Sequence, residues 1–236
     1  MIENALTTKT NILLIRPLKT ALFLGSIAGL LLLINIINMI NVHFLGFPLR
    51  LIPQLHLDES HTFSTYFLVT MLTCSSILLG MISMISKKKQ DANFIYWLGL
   101  ALFFLFISMN KIVEFNDSIF INFYSFLEAN LRNTLSWLIP IISCVILLLY
   151  LRFWLLLPSA DRTGLLFATI LFIGGAIGMD FLVDKYFSLD SELTFAYDIL
   201  ITIESGLEMF GAVVFIYALL INLSHVETNI SITTKS

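Results

Sequence analysis

Six long apolar runs, each almost free of charge, dominate the chain: Ala21 to Ile40, Thr62 to Ile85, Phe94 to about Ile112, Leu135 to Leu157, Gly164 to Val183, and about Ile199 to Leu223. A helix rises 1.5 Å per residue and needs about 20 residues to cross a hydrocarbon core roughly 30 Å thick. All six runs meet that requirement, so the sequence predicts an all-α, polytopic bundle of six transmembrane helices. Charged residues make up 12% of the 236 and hydrophobic ones 58%. Soluble domains carry about 25% charge, so an ordinary soluble protein is excluded.

Organisation and orientation follow from the polar segments. Residues 1–20 are read as a cytoplasmic arm, 21–223 as the transmembrane domain and 224–236 as a cytoplasmic tail. The first run is not read as a cleavable signal, because residues precede it and Asn35, Asn38 and Asn41 stand where small cleavage-site residues belong. Lysine and arginine near span ends stay on the cytoplasmic side. Nine of the 13 fall on one side (Lys9, Arg16, Lys19, the run Lys87 to Lys89, Arg152, Arg162 and Lys235), and Arg50, Lys111, Arg132 and Lys185 fall on the other. Both termini are therefore expected in the cytoplasm, with the Lys87 to Lys89 run read as an orientation signal rather than a lipid-recognition patch. The chain is placed in a bacterial inner membrane.

The bilayer is the partner this composition demands, and a membrane-protein partner or a second copy remains open. A net charge of −3 gives no basic surface for nucleic acid. Cys74 and Cys144 both lie within apolar runs, which argues against a disulfide framework. Pro140 is expected to bend the fourth helix, and Gly174, Gly175 and Gly178 to let a neighbour approach the fifth. Tyr96, Trp97 and Trp154 fit an aromatic belt at the cytoplasmic interface.

The acidic residues carry the functional signal. Glu3, Asp91, Asp161 and Glu227 are the acids on the cytoplasmic side, and the other 12 of 16 fall outside or in outer helix halves, with His43, His56 and His61. Any site built from charge should open outward. Asn110, Glu114 and Asp117 share one face at i, i+4 and i+7, as do Asp180 with Asp184 and Glu204 with Glu208. Measured from an interface near Asp198, the two glutamates lie about 9 and 15 Å deep. A carboxylate there costs roughly 3 kcal/mol on insertion scales, so it should face the bundle interior with a partner. Lys111 is at the right height, and the expectation is a pair with Glu204 or Glu208. Asn35 and Asn38 would add hydrogen bonds, Asp117 and Asp180 would rim the opening, and Glu59 is a further binding candidate. The same groups can equally serve as glue between helices.

His56, Asp58, Glu59 and His61 form a weaker cluster. They can be drawn as a zinc or copper set, but short polar stretches before a helix are commonly caps, and Ser60 or Thr62 fits that role. His56, Glu59 and His61 stand as weak metal candidates.

Three stretches carry a resemblance. Leu57 to Phe67, Phe103 to Asp117, and Ile203-Glu204-Ser205-Gly206-Leu207-Glu208-Met209-Phe210-Gly211 together resemble an uncharacterised group of bacterial six-helix inner-membrane proteins. That pattern has an acid before helix 2, Asp-Glu then His-Glu at the end of helix 3, and Glu-Glu then Glu-Met-Leu-Gly in helix 6. It implies carboxylates and an imidazole converging as in dimetal bundles. Here Ser108 is kept, but Asn110 and Lys111 replace Asp-Glu, Asn116 and Asp117 replace His-Glu, and Ile203 replaces the first glutamate. On this basis a metal is not expected, with the Lys111 ammonium standing in for its charge, and no cofactor is expected.

The leading functional reading is a binding or accessory membrane protein with an outward polar pocket. The alternatives are a carboxylate–metal membrane enzyme or its degenerate relative, and a proton or cation transporter. No phosphate loop, nucleophile elbow or thiolate cluster supports an enzyme. Helix 6 below Glu208 is apolar apart from Tyr217 and glycine, which argues against a through path.

Overall fold

The computed structural model describes residues 16–44, 62–113, 148–157, 159–179, 182 and 194–233. The described residues are all-α, with six helices: α1 (Pro17–Phe44), α2 (Phe63–Lys88), α3 (Phe94–Val113), α4 (148–156), α5 (Ser159–Ile173) and α6 (Phe195–Thr233). A π-helical segment, Gly174–Met179, continues α5.

Among the described residues, four helices are long and apolar enough to cross a membrane: α1, α2, α3 and the Phe195–Ser224 part of α6. The other two expected spans lie partly outside the described residues. Of the fourth run, α4 is the helical part described, and Pro140 lies outside the described residues. The fifth run gives a 15-residue α-helix that changes to π winding at the Gly174-Gly175 pair, where the absence of side chains lowers the cost of altered winding. The other helices are longer than the apolar runs. α1 begins at Pro17, whose fixed φ and missing N–H suit a first helical turn, and α6 continues to Thr233, past the point where the polar tail begins. Of the two cap residues offered for α2, Thr62 takes the role: its hydroxyl accepts from the Thr65 amide at 3.3 Å.

Pairwise contacts fix the topology. Ser83 donates to the Phe94 carbonyl at 2.9 Å and Ser76 to the Ala101 carbonyl at 2.7 Å, while Thr73 meets Ser108 at 2.8 Å, so α2 and α3 are antiparallel. Gly25 faces Val213, Leu32 faces Gly206, and Asn35 bonds Thr202, which sets α1 antiparallel to α6. Gly164 lies against Ala218 and Gly211 against Phe172, which does the same for α5. α6 is thus the central post. Its buried face feeds two apolar clusters, one around Leu79, Trp97, Phe153, Phe215 and Leu219, the other around Leu68, Met71, Leu72, Val213 and Ile216.

Close approach at two glycines locks α5 to the post. A Cβ at Gly211 would fall 2.7 Å from the Phe172 nitrogen, and one at Gly175 would fall 2.9 Å from the Glu204 carbonyl oxygen. Gly174 and Gly178, expected to share that smooth face, have nothing within 4 Å. The π winding leaves Gly175 alone against α6.

Candidate functional site

The antiparallel contacts sort the charges into two ends. Arg16 and Lys19 start α1, Lys87 to Lys89 close α2 and its turn, Arg152 precedes Phe153, which packs on Tyr96 and Trp97 at the start of α3, and Arg162 is early in α5, so these cations share one end of the bundle. Beneath them runs an aromatic layer in which Tyr96 stacks on Phe153 and Trp97 meets it edge-on. The Trp154 indole donates to the Arg162 carbonyl at 3.3 Å.

The opposite end holds the candidate site, and its height follows from helix rise. Lys111 lies about 25 Å along α3 from Phe94, and Glu208 about 24 Å along α6 from Ser224. Both therefore sit in the outer part of a hydrocarbon layer roughly 30 Å thick, when that layer starts at the basic end. The depth inferred from sequence took Asp198 as the boundary and put Glu208 near the centre. The two depths differ because they are counted from opposite ends of α6, whose 39 residues outrun a layer of that thickness.

At that level Lys111 reaches from α3 to α6. Its ammonium donates to both carboxylate oxygens of Glu208, at 3.0 and 3.1 Å. The lysine side chain is 37% exposed and the glutamate 5%. Of the two carboxylates offered to Lys111, the described pair is with Glu208; Glu204 lies one turn further out on the same face, half-buried. The backbone of that same turn, Glu204 oxygen to Glu208 nitrogen, is where Gly175 of the π segment packs. Ser108, a turn below Lys111, is buried and donates to the Val69 carbonyl at 3.1 Å.

A second polar seam joins α1 to α6. The buried residues of α1 are Ala28, Asn35, Asn38 and Asn41. The Asn35 amide donates to the Thr202 hydroxyl at 2.8 Å, and that hydroxyl donates to the Asp198 carbonyl at 2.7 Å. His43 Nε2 meets Asp198 Oδ2 at 2.8 Å, and His43 and Phe44 both pack edge-on against Phe195. Asn35 thus bonds a threonine, where sequence reasoning had offered the glutamates; Asn38 is buried in the same seam. The Asn41 Nδ2 is buried with no hydrogen-bond partner.

Sequence reasoning missed the His43–Asp198 contact, the Thr202 acceptor and the Gly211 notch. The three-residue repeat of Asn35, Asn38 and Asn41 was a visible sign that one face of α1 is polar, but not of what lies opposite. Glu59, Glu114, Asp117, Asp180, His56 and His61 lie outside the described residues, and Asn110 is half-buried on α3 next to Lys111. Among the described residues no three His, Cys, Asp or Glu side chains come together as a metal set.

Residues 21–223 match the family model for DUF8692, a domain of unknown function. The chain belongs to this family. The DUF8692 match spans all six helices, from within α1 to the apolar part of α6, so the Lys111–Glu208 pair and the α1–α6 seam both lie inside the family domain. With four membrane-length helices, this DUF8692 chain is a multi-pass membrane protein. Neither a curated protein nor a solved structure matches it.

Proposed function

We propose that the chain spans a bacterial inner membrane six times with both termini in the cytoplasm, and that it is a binding or accessory protein whose site opens at the outer end. The observation carrying this reading is the Lys111–Glu208 pair: a carboxylate 5% exposed joined to an ammonium 37% exposed. A pair serving only to glue helices is best shielded on both sides. Here one member is open, so an incoming polar group can reach the ammonium while α6 holds the carboxylate. Glu204, Asp117, Asp180 and Glu59 complete the rim, and the Asn35 and Asn38 seam holds α1 beside it, with Asn110 and Glu114 as supporting polar residues of helix 3.

The test is native mass spectrometry of the protein released from its own membrane in mild detergent. A co-purifying polypeptide or small polar molecule that is lost on Lys111→Met supports the proposal. A bare chain whose membrane phenotype is unchanged by Lys111→Met and Glu208→Gln together would refute it. A stoichiometric transition metal would instead favour the carboxylate–metal enzyme. Topology is read separately, by impermeant maleimide labelling of cysteines placed at Lys89 and at Ser236; labelling of either from the outer face would overturn the orientation.

A further inference from the structure

The seven cations gathered at the basic end have a property that sequence position alone does not give. Between described residues the ion pairs are His43–Asp198 and Lys111–Glu208, both at the other end. Arg16, Lys19, the run Lys87 to Lys89, Arg152 and Arg162 form none with described residues. All but the half-buried Arg162 are exposed. Of the acids near that level, Asp91 is the one whose side chain is described, and its carboxylate accepts from the Asn93 amide at 3.0 Å, which shapes the α2–α3 turn. Gln90 takes the left-handed conformation at φ 57°, the Lys89 and Gln90 amides close onto the end of α2, and the Lys87 ammonium lies 5.9 Å from the centre of the Phe94 ring.

We propose that this end is a binding surface for the headgroups of anionic phospholipids. The three lysines sit at the last turn of α2, one layer beyond Tyr96 and Trp97, which is the depth of the phosphate groups when those aromatics occupy the interface. An orientation signal needs only the charge on the correct side; a surface whose cations have no counter-ion among the described side chains also draws anions from elsewhere. The lipid supplies them, and clusters of four to eight basic residues beside a span bind anionic lipid by this route.

The experiment exposes the detergent-solubilised full chain to an equimolar mixture of phosphatidylglycerol and phosphatidylcholine and counts retained lipids by native mass spectrometry. Phosphatidylglycerol is expected to be enriched several-fold. A lysine beside an anionic surface is worth roughly fivefold in affinity, so Lys87→Gln with Lys88→Gln and Lys89→Gln should lower the preference by on the order of tenfold or more. The corresponding triple exchange to arginine should keep it. Raising the salt should weaken it in the unaltered protein, which needs no variant to fold. Equal retention of the two lipids, a preference that survives both the glutamine exchange and high salt, or its loss in the arginine variant would each overturn the proposal.

Discussion

Lys111 and Glu208 share two hydrogen bonds across the α3–α6 contact, yet one is 37% exposed and the other 5%. Removing the lysine leaves a buried carboxylate with its charge uncompensated. Removing the carboxylate leaves an ammonium that water can reach. Breaking a buried pair from the wrong side costs about 3 kcal/mol, whereas loss of a bond to a group that can be resolvated costs about 1 kcal/mol. Lys111→Met should therefore lower the unfolding midpoint in detergent well below that of Glu208→Gln. The double variant should sit close to Glu208→Gln alone. Equal losses in the two single variants would show that the asymmetry of exposure has no energetic meaning.

The two glycine notches predict a sharp contrast within one residue type. A Cβ at Gly211 or Gly175 meets backbone at 2.7 and 2.9 Å, and backbone cannot swing aside. Gly211→Ala and Gly175→Ala should each destabilise by about 1–3 kcal/mol, as overpacking does. Gly29 and Gly80 have nothing within 4 Å, so their alanine variants should be neutral or gain about 0.5–1 kcal/mol from helix propensity. Thermal melts of the four variants side by side decide it.

The α1–α6 seam is testable through Asn35 and Thr202. Interhelical hydrogen bonds in bundles average about 0.6 kcal/mol, with a maximum of about 1.7. Asn35→Leu and Thr202→Val should each cost that much. Because they remove the same 2.8 Å bond, the double variant should cost no more than the worse single one. Additive losses, measured by reversible unfolding in mixed micelles, would mean that the bond contributes nothing.

Thr62 caps α2 from a fully buried position. Thr62→Ala should cost about 0.5–2 kcal/mol, the usual price of a lost N-cap, and Thr62→Ser should recover most of it. Hydrogen exchange at the Ser64 and Thr65 amides reports the change locally.

Much of the fold was legible because hydrocarbon imposes a simple rule on sequence: long apolar runs become helices. Ala21 to Ile40 falls inside α1, and Thr62 to Ile85 runs from the cap of α2 to its last turn, for that reason. The ends were less legible. Helix geometry continues as long as caps and neighbours allow, so α6 reaches from Phe195 to Thr233 although its apolar run is much shorter. In the fifth run the change of winding was not legible either, because a Gly174-Gly175 pair does not announce π winding. At the site, Lys111 was visible as a lone cation at the level of two glutamates. The preference for Glu208 was not, since it depends on the rotation of α3 about its axis. Asn35 pairs with Thr202 for a similar reason: which helix faces α1 is decided by packing around α6, which leaves no periodic trace in α1 itself.

The amide-lined face of α1 bears on how this helix finds its place. Once inserted, a span covered in leucine and isoleucine meets lipid tails as readily as it meets α6, so apolar contact alone would let it slide along the post. Asn35 against Thr202 and His43 against Asp198 act like two teeth of a ratchet on one rack. A slip by one helical turn would strip both sets of partners within a layer that offers few substitutes. The asparagines thus supply little adhesion but a definite stop, and α1 can enter the bilayer as an ordinary greasy segment and be indexed only on arrival.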